Sequence, residues 1–174
     1  MKNKIMLITY ADSFGKNLKE LKEMLDTHFD REIGSVHILP FFPSSGDRGF
    51  APLTYEEVDP AFGTWEDVAA IAEKRELMFD FMVNHLSRQS REFKDFVQNH
   101  DASPYKDMFI RFKDFWPGGA PTKEQVDQLN KRKNHAPCER IAFADGTFED
   151  IWCTFSEEQM DLNLESGLTW EFIE

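Results

Sequence analysis

Leu77-Met78-Phe79-Asp80-Phe81-Met82-Val83-Asn84-His85 is an apolar run broken once by a carboxylate and closed by an amide and an imidazole. The continuity of Leu77 to Val83 predicts a strand buried on both faces, the kind found in parallel sheets. Asn84 and His85 then fall at the C-terminal end of that strand. In an α/β barrel this end carries the loops that assemble the active site, so a polar pair there points to a site. The residues alone leave a second reading open, in which Asp80 is a satisfied interior carboxylate and His85 a structural hydrogen-bonder.

Upstream of this run, strand and helix patterns alternate. Met6 to Tyr10 is a short apolar run, and Leu18, Leu21, Met24, Leu25, His28 and Phe29 recur at helical spacing. Val36-His37-Ile38-Leu39 reads as a second strand stopped by Pro40, which cannot donate to a continuing ladder. Thr64-Trp65-Glu66-Asp67 reads as a helix N-cap with acidic residues in the first turn, followed by Val68, Ala69 and Ala72 on one face. Three βα units in succession imply a parallel sheet. The connection from Pro40 to Gly63 is long for such a unit, and its Phe41, Phe42, Phe50 and Tyr55 argue for an ordered, functional loop.

From about Asn99 the chain changes to short aromatic pieces punctuated by Gly and Pro, as in Phe115-Trp116-Pro117-Gly118-Gly119, which reads as an inserted subdomain. Its clearest element is a hairpin of Ile141–Ala144 and Thr147–Trp152 turning on Asp145-Gly146 as a two-residue type I′ loop. In that register Phe143 faces Phe148 and, further out, Cys138 faces Cys153, with Cα atoms about 5.5 Å apart. Gln159 to Asn163 then leads towards a helix beginning at Thr169.

Composition excludes several classes of function. Lys and Arg number 20 against 32 Asp and Glu, a net charge of −12 that repels phosphate backbones and anionic membranes, so neither nucleic acid nor membrane is an expected partner. No apolar run approaches the length of a membrane span, and the start leads into a strand without a signal pattern, so the chain is expected to be cytoplasmic. Its 2 cysteines lack metal-ligand spacing and are expected to be reduced thiols; neither metal nor cofactor is expected.

Five stretches together resemble the sucrose phosphorylases, a branch of the α-amylase-type glycoside hydrolases. They are Ile8 to Asp12, His37 to Pro43, Gly46-Asp47-Arg48-Gly49-Phe50, Asp80 to His85, and Gln159 to Asn163. The resemblance covers the entire chain and implies an α/β fold that is a partial (β/α)8 barrel. Residues 1–98 would supply its first three βα units, 99–160 a mostly irregular and β B subdomain inserted after the third strand, and 161–174 the return to the barrel. It implies the N-terminal part of an enzyme that converts sucrose and inorganic phosphate to α-D-glucose 1-phosphate and fructose with retention. Retention requires a nucleophilic carboxylate and a second carboxyl acting as acid and then base. The family carries the first in an Arg-x-Asp-Ala segment on the fourth strand and the second on the fifth; no Arg-x-Asp occurs in the 174 residues. The chain is therefore expected to be an inactive N-terminal fragment, whose unpaired sheet edges favour association, including into a homo-oligomer.

The resemblance also assigns binding roles. Asp47 matches the acceptor of glucosyl hydroxyls and His85 the histidine that donates to one, while Phe50 is placed to stack on the sugar or to serve as a structural aromatic. Phe155 and Gln159 match the acceptor side, where fructose and phosphate alternate. Lys131, Arg132 and Lys133 are phosphate-approach candidates, a solvated charge run being the other reading; if they face the site, fructose 6-phosphate becomes a possible acceptor. An α-glucosidase-type hydrolase and a non-catalytic sugar-binding module stay open beside the phosphorylase.

Overall fold

The computed structural model describes residues 4–129 and 136–174, and by its contacts the chain divides into two units, one ending at Phe81 and the other spanning Met82–Glu174. In the first unit, β1 (Ile5–Thr9), β2 (Ile33–Ile38) and β3 (Glu76–Phe79) form a parallel sheet in the order β1-β2-β3. Thr9 pairs with Ile38, and Ile38 with Phe79, so the three C-terminal ends lie level along one edge. Two helices make the crossovers. In α1 (Leu18–His28) the side chain of Asn17 accepts from the Glu20 N–H, and Leu18, Leu21 and Leu25 repeat along the buried stripe. In α2 (Trp65–Ala72) Thr64 is the N-cap, and Asp67 Oδ2 accepts the Thr64 N–H at 3.0 Å. Both helices bury these stripes with Val36, Ile38 and Phe41 in one core, where Arg75 is also buried and donates to Asp26 at 2.7 Å.

The strand predicted over Leu77–Val83 is shorter and more exposed than its apolar run implies. It ends at Phe79, and Met78 and Phe79 each keep 38% of their surface. Among the described residues β3 pairs only with β2, so it is an edge strand, and one of its faces is not covered as a central parallel strand's would be. The ladder stops at Asp80, whose carboxylate turns to His37. His85 therefore does not close this strand; it opens a different one.

That strand is β4 (His85–Ser87) of the second unit, antiparallel to β7 (Gln159–Asp161), with His85 opposite Asp161. Helix α3 (Arg91–Asn99), capped by the Ser90 hydroxyl accepting from the Phe93 N–H, sets Phe93 and Phe96 against Phe109, and Phe96 against Phe143. These contacts place α3 in the second unit, so the division by contacts falls ahead of residue 98. Short helices α4 (Phe112–Phe115) and α5 (Lys123–Gln128) precede the hairpin of β5 (Cys138–Ala142) and β6 (Phe148–Trp152), and α6 (Gly167–Ile173) follows β7.

The hairpin register differs from the expected one by a single residue. Ala142, not Phe143, faces Phe148, and Cys138 faces Trp152, while the Phe143 N–H donates to the Thr147 carbonyl. The loop thus has three residues, Ala144-Asp145-Gly146. A type I′ turn needs positive φ at both central residues, and of Asp145 and Gly146 only the glycine has it, at +85°. Asp145 Oδ1 instead accepts from the N–H and hydroxyl of Thr147 at 2.8 and 2.6 Å, an Asx-type arrangement that competes with the tighter turn. Cys153 consequently bonds through its N–H to Pro137, and both cysteines are free thiols; burial, with Glu139 and Asp161 nearby, pushes the Cys153 thiol up to about 12.

His100 ties α3 to this hairpin. Its Nδ1 lies 2.7 Å from Asp145 Oδ2 and its Nε2 3.0 Å from Glu149 Oε1, and Glu149 also takes Lys113 at 2.5 Å. Burial pulls the imidazole pKa down, but the hydrogen bonds to Asp145 and Glu149, with the nearby Asp101 charge, outweigh it and leave the value raised. A raised folded-state value contributes stability that is complete below the unfolded value of about 6.5 and is lost as pH rises through the folded one. The thermal midpoint is accordingly expected to fall as pH rises above about 6.5, and His100→Gln should flatten that slope; an equal slope in the variant refutes the assignment.

Candidate functional site

In the first unit the candidate side chains stand on the level edge formed by the strand ends. Tyr10 and Asp12 follow β1, the 40–63 connection follows β2, and Asp80 follows β3. Asp80 Oδ2 lies 2.8 Å from His37 Nε2, so the interior carboxylate has a specific partner. Within the long connection, residues 44–52 form a closed loop in which the Ser44 hydroxyl donates to the carbonyls of Gly46 and Ala51 and Ser44 bridges Pro52. Its tip is a single 3-10 turn, Asp47–Gly49, with positive φ throughout: +52°, +55° and +98°. Gly49 is required there, because a Cβ would stand 2.6 Å from the Pro40 carbonyl oxygen. Asp47 is exposed and Phe50 half-buried, joined by the Phe50 N–H donating to the Asp47 carbonyl at 3.1 Å.

Arg48, between them, reaches across 36 residues of sequence. Its Nη2 and Nη1 donate to Asp12 Oδ1 and Oδ2 at 2.8 and 3.1 Å, and its guanidinium carbon lies 4.3 Å from the centre of the Tyr10 ring.

In the second unit three residues that the sequence assigns to separate sides of a sugar come together. The Gln159 amide nitrogen is 3.1 Å from His85 Nε2, and the Phe155 ring centre is 5.0 Å from that of His85. The Ser156 hydroxyl donates to Gln159 Oε1 at 2.6 Å, which turns the Gln159 NH2 towards the imidazole. Asn84 approaches the other ring nitrogen at 2.9 Å. His85 and Gln159 are buried, so both amides fix the ring's orientation in a setting of low dielectric.

Asp161, the residue across the ladder from His85, supports the candidate site structurally, and sequence reasoning assigned it no role. It is buried, and both carboxylate oxygens accept the Thr154 N–H while Oδ2 also accepts the Thr154 hydroxyl. Burial raises its pKa, and the Thr154 bonds pull the other way. The pair closes the tight segment 154–161 that carries Phe155 and Gln159. Arg48 and Asp12 were likewise visible only as members of motifs. Lys131, Arg132 and Lys133 lie outside the described residues. Among the described residues no helix is long and apolar enough to cross a membrane.

Comparison with known proteins gives a consistent picture. The family model for the alpha amylase catalytic domain matches residues 11–167. The chain is 57% identical over 171 residues to a sucrose phosphorylase of Streptococcus mutans, covering 98% of this chain and 36% of that protein. It is 44% identical over 174 residues to a glucosylglycerol phosphorylase of Marinobacter adhaerens, covering all of this chain and 36% of that protein. The crystal structure of a sucrose 6F-phosphate phosphorylase from Thermoanaerobacter thermosaccharolyticum superposes with a TM-score of 0.95 at 45% identity, over 99% of this chain and 36% of that one. The chain thus spans about a third of the length of these relatives.

Removing the Thr154 hydroxyl leaves the buried Asp161 carboxylate short of a donor, a loss of about 1–3 kcal/mol. Thr154→Val is therefore expected to lower unfolding stability in urea by that amount and to raise the Asp161 pKa further, read from its carboxyl carbon shift. An unchanged carboxyl titration in the variant would remove Asp161 from this role.

Proposed function

The chain belongs to the α-amylase catalytic-domain family, and from that premise we propose that it is the N-terminal part of a retaining α-glucosyl phosphorylase converting sucrose and phosphate to α-D-glucose 1-phosphate and fructose. In this reading β1, β2 and β3 are the first three strands of a (β/α)8 barrel, residues 99–160 are the inserted B subdomain, and 161–174 return to the barrel. Asp47 accepts hydroxyls of the glucosyl unit, Phe50 offers it an apolar face, and His85 donates to it. Phe155 and Gln159 serve the acceptor side.

The observation that supports the reading most is the meeting of buried His85 and Gln159, both on the β4–β7 ladder, with the half-buried ring of Phe155. A ring held between two amides, one at each nitrogen, with an aromatic face beside it, matches the chemistry of a sugar, which offers hydroxyls around its rim and C–H groups on its face. A positioned imidazole donor gains strength as the oxocarbenium-like state draws charge from the ring hydroxyls. A second reading, with a phosphorylated acceptor such as fructose 6-phosphate, is favoured by the likeness to the sucrose 6F-phosphate phosphorylase and would call on Lys131, Arg132 and Lys133. The two free thiols support a cytoplasmic setting.

Calorimetric titration of the chain with glucose tests the sugar site directly. Asp47→Ala removes a charged acceptor whose hydrogen bonds contribute about 1.5–3 kcal/mol, so glucose affinity is expected to fall at least about tenfold with the thermal midpoint unchanged. Equal binding by the variant rules out Asp47 as the glucosyl acceptor. The 174 residues alone, holding no Arg-x-Asp segment, are expected to release no glucose 1-phosphate from sucrose.

A further inference from the structure

We propose that Arg48 is a positioning residue: its guanidinium, forked on Asp12 and laid over Tyr10, holds the left-handed turn that presents Asp47. The inference rests on the reading of Asp47 as a glucosyl ligand and adds to it the device that sets that ligand's place.

Three observations converge on the turn. First, Asp47 and Arg48 are consecutive non-glycine residues at φ +52° and +55°, a conformation that side chains disfavour and that persists only where the surroundings over-determine it. Second, hydrogen bonds within the loop close it on itself. The Ser44 hydroxyl and the Ser44–Pro52 bridge tie the base of the loop, the Ser45 N–H donates to the Ala51 carbonyl at 3.1 Å, and in the tip the Gly49 N–H donates to Gly46 and the Phe50 N–H to Asp47, at 3.2 and 3.1 Å. Third, the tip is anchored by the side chain of its middle residue to a different strand end. Both carboxylate oxygens of Asp12 receive a guanidinium N–H, at 2.8 and 3.1 Å, and the flat cation lies 4.3 Å above the Tyr10 ring.

A fork of two parallel hydrogen bonds fixes direction as well as distance, and ring stacking fixes the plane of the guanidinium. Together they leave the Arg48 side chain few ways to move, and with it the backbone of residue 48. Asp47 precedes that anchor by one peptide bond. A carboxylate that must accept from sugar hydroxyls gains from being held in place before the sugar arrives, because the ordering cost is then not charged to binding. Tyr10 and Asp12 follow directly on β1, so the tether refers the loop to the rigid sheet.

The alternative role for residue 48 is purely conformational, and substitution separates the two. Arg48→Gly makes the left-handed backbone easier and removes the tether; Arg48→Gln and Asp12→Asn weaken the tether from opposite ends; Arg48→Lys keeps charge without the fork. Amide exchange at Gly49 and Phe50 and calorimetry with glucose are measured on each, beside the thermal midpoint. Expected are exchange at these two amides and glucose dissociation constants each raised at least about tenfold in Arg48→Gly, Arg48→Gln and Asp12→Asn. The midpoint should stay unchanged and Arg48→Lys should fall between. Adding Asp12→Asn to Arg48→Gln should change little beyond Arg48→Gln alone, since the fork is then already lost. Exchange and binding in Arg48→Gly equal to those of the unsubstituted chain would overturn the proposal, as would Asp12→Asn leaving the exchange at Gly49 and Phe50 unaltered. If the unsubstituted chain binds no glucose, the sugar-binding reading falls, while the exchange arm still decides whether the tether holds the turn.

Discussion

Parallel strands cannot be joined by a tight turn, and the first unit is organised by that constraint. β2 and β3 must each be reached by a crossover on the same side of the sheet, so α1 and α2 both cover one face and all three strand ends emerge along one edge. The loops at that edge are relieved of any duty to pair and are free to carry chemistry. Here they carry Tyr10, Asp12, the 44–52 loop and Asp80. The leucine stripe of α1 and the Val68 and Ile71 face of α2 supply the rigidity on which those loops depend.

The second unit holds its polar groups in place by a different means. His85, Gln159 and Asp161 sit in the β4–β7 ladder and are buried, so their partners must be supplied from within. Gln159 and Asn84 serve the imidazole, Thr154 serves Asp161, and Ser156 orients Gln159. Each bond fixes the next residue's rotamer, which is how a three-residue strand becomes a precise platform. The phenylalanines contribute through their shape: Phe93, Phe96, Phe109 and Phe143 meet edge to face or offset, filling the space beneath.

What the sequence disclosed was what local chemistry decides. Thr64 caps its helix as its type predicts, and the spacing of Leu18, Leu21 and Leu25 defines the buried face of α1. The run from Leu77 to Val83 misled because apolar continuity reports on composition, whereas a strand's length depends on a neighbour to pair with and, at Asp80, on a partner 43 residues away in His37. The hairpin slipped by one residue because Asp145 can either adopt a left-handed turn or bond Thr147, and its dipeptide with Gly146 reads the same for both. Asp47, His85, Phe155 and Gln159 are candidates that family motifs alone single out. The support given by Asp161 and Arg48 was not legible in the sequence, since it rests on Thr154 and Asp12, which no spacing rule brings to them.

The two ways of holding a functional side chain differ in what can disturb them. Asp161 and His85 are shielded, so their bonds are insensitive to salt and respond chiefly to loss of a partner. The Arg48 and Asp12 side chains keep 56% and 27% of their surface, and an ion pair so placed is weakened by dissolved ions that leave its stacking on Tyr10 intact. The charge component of the tether is thus open to the medium and the aromatic component is not. Placing a cation over a ring as well as on a carboxylate keeps the turn anchored where a bare surface salt bridge would contribute little.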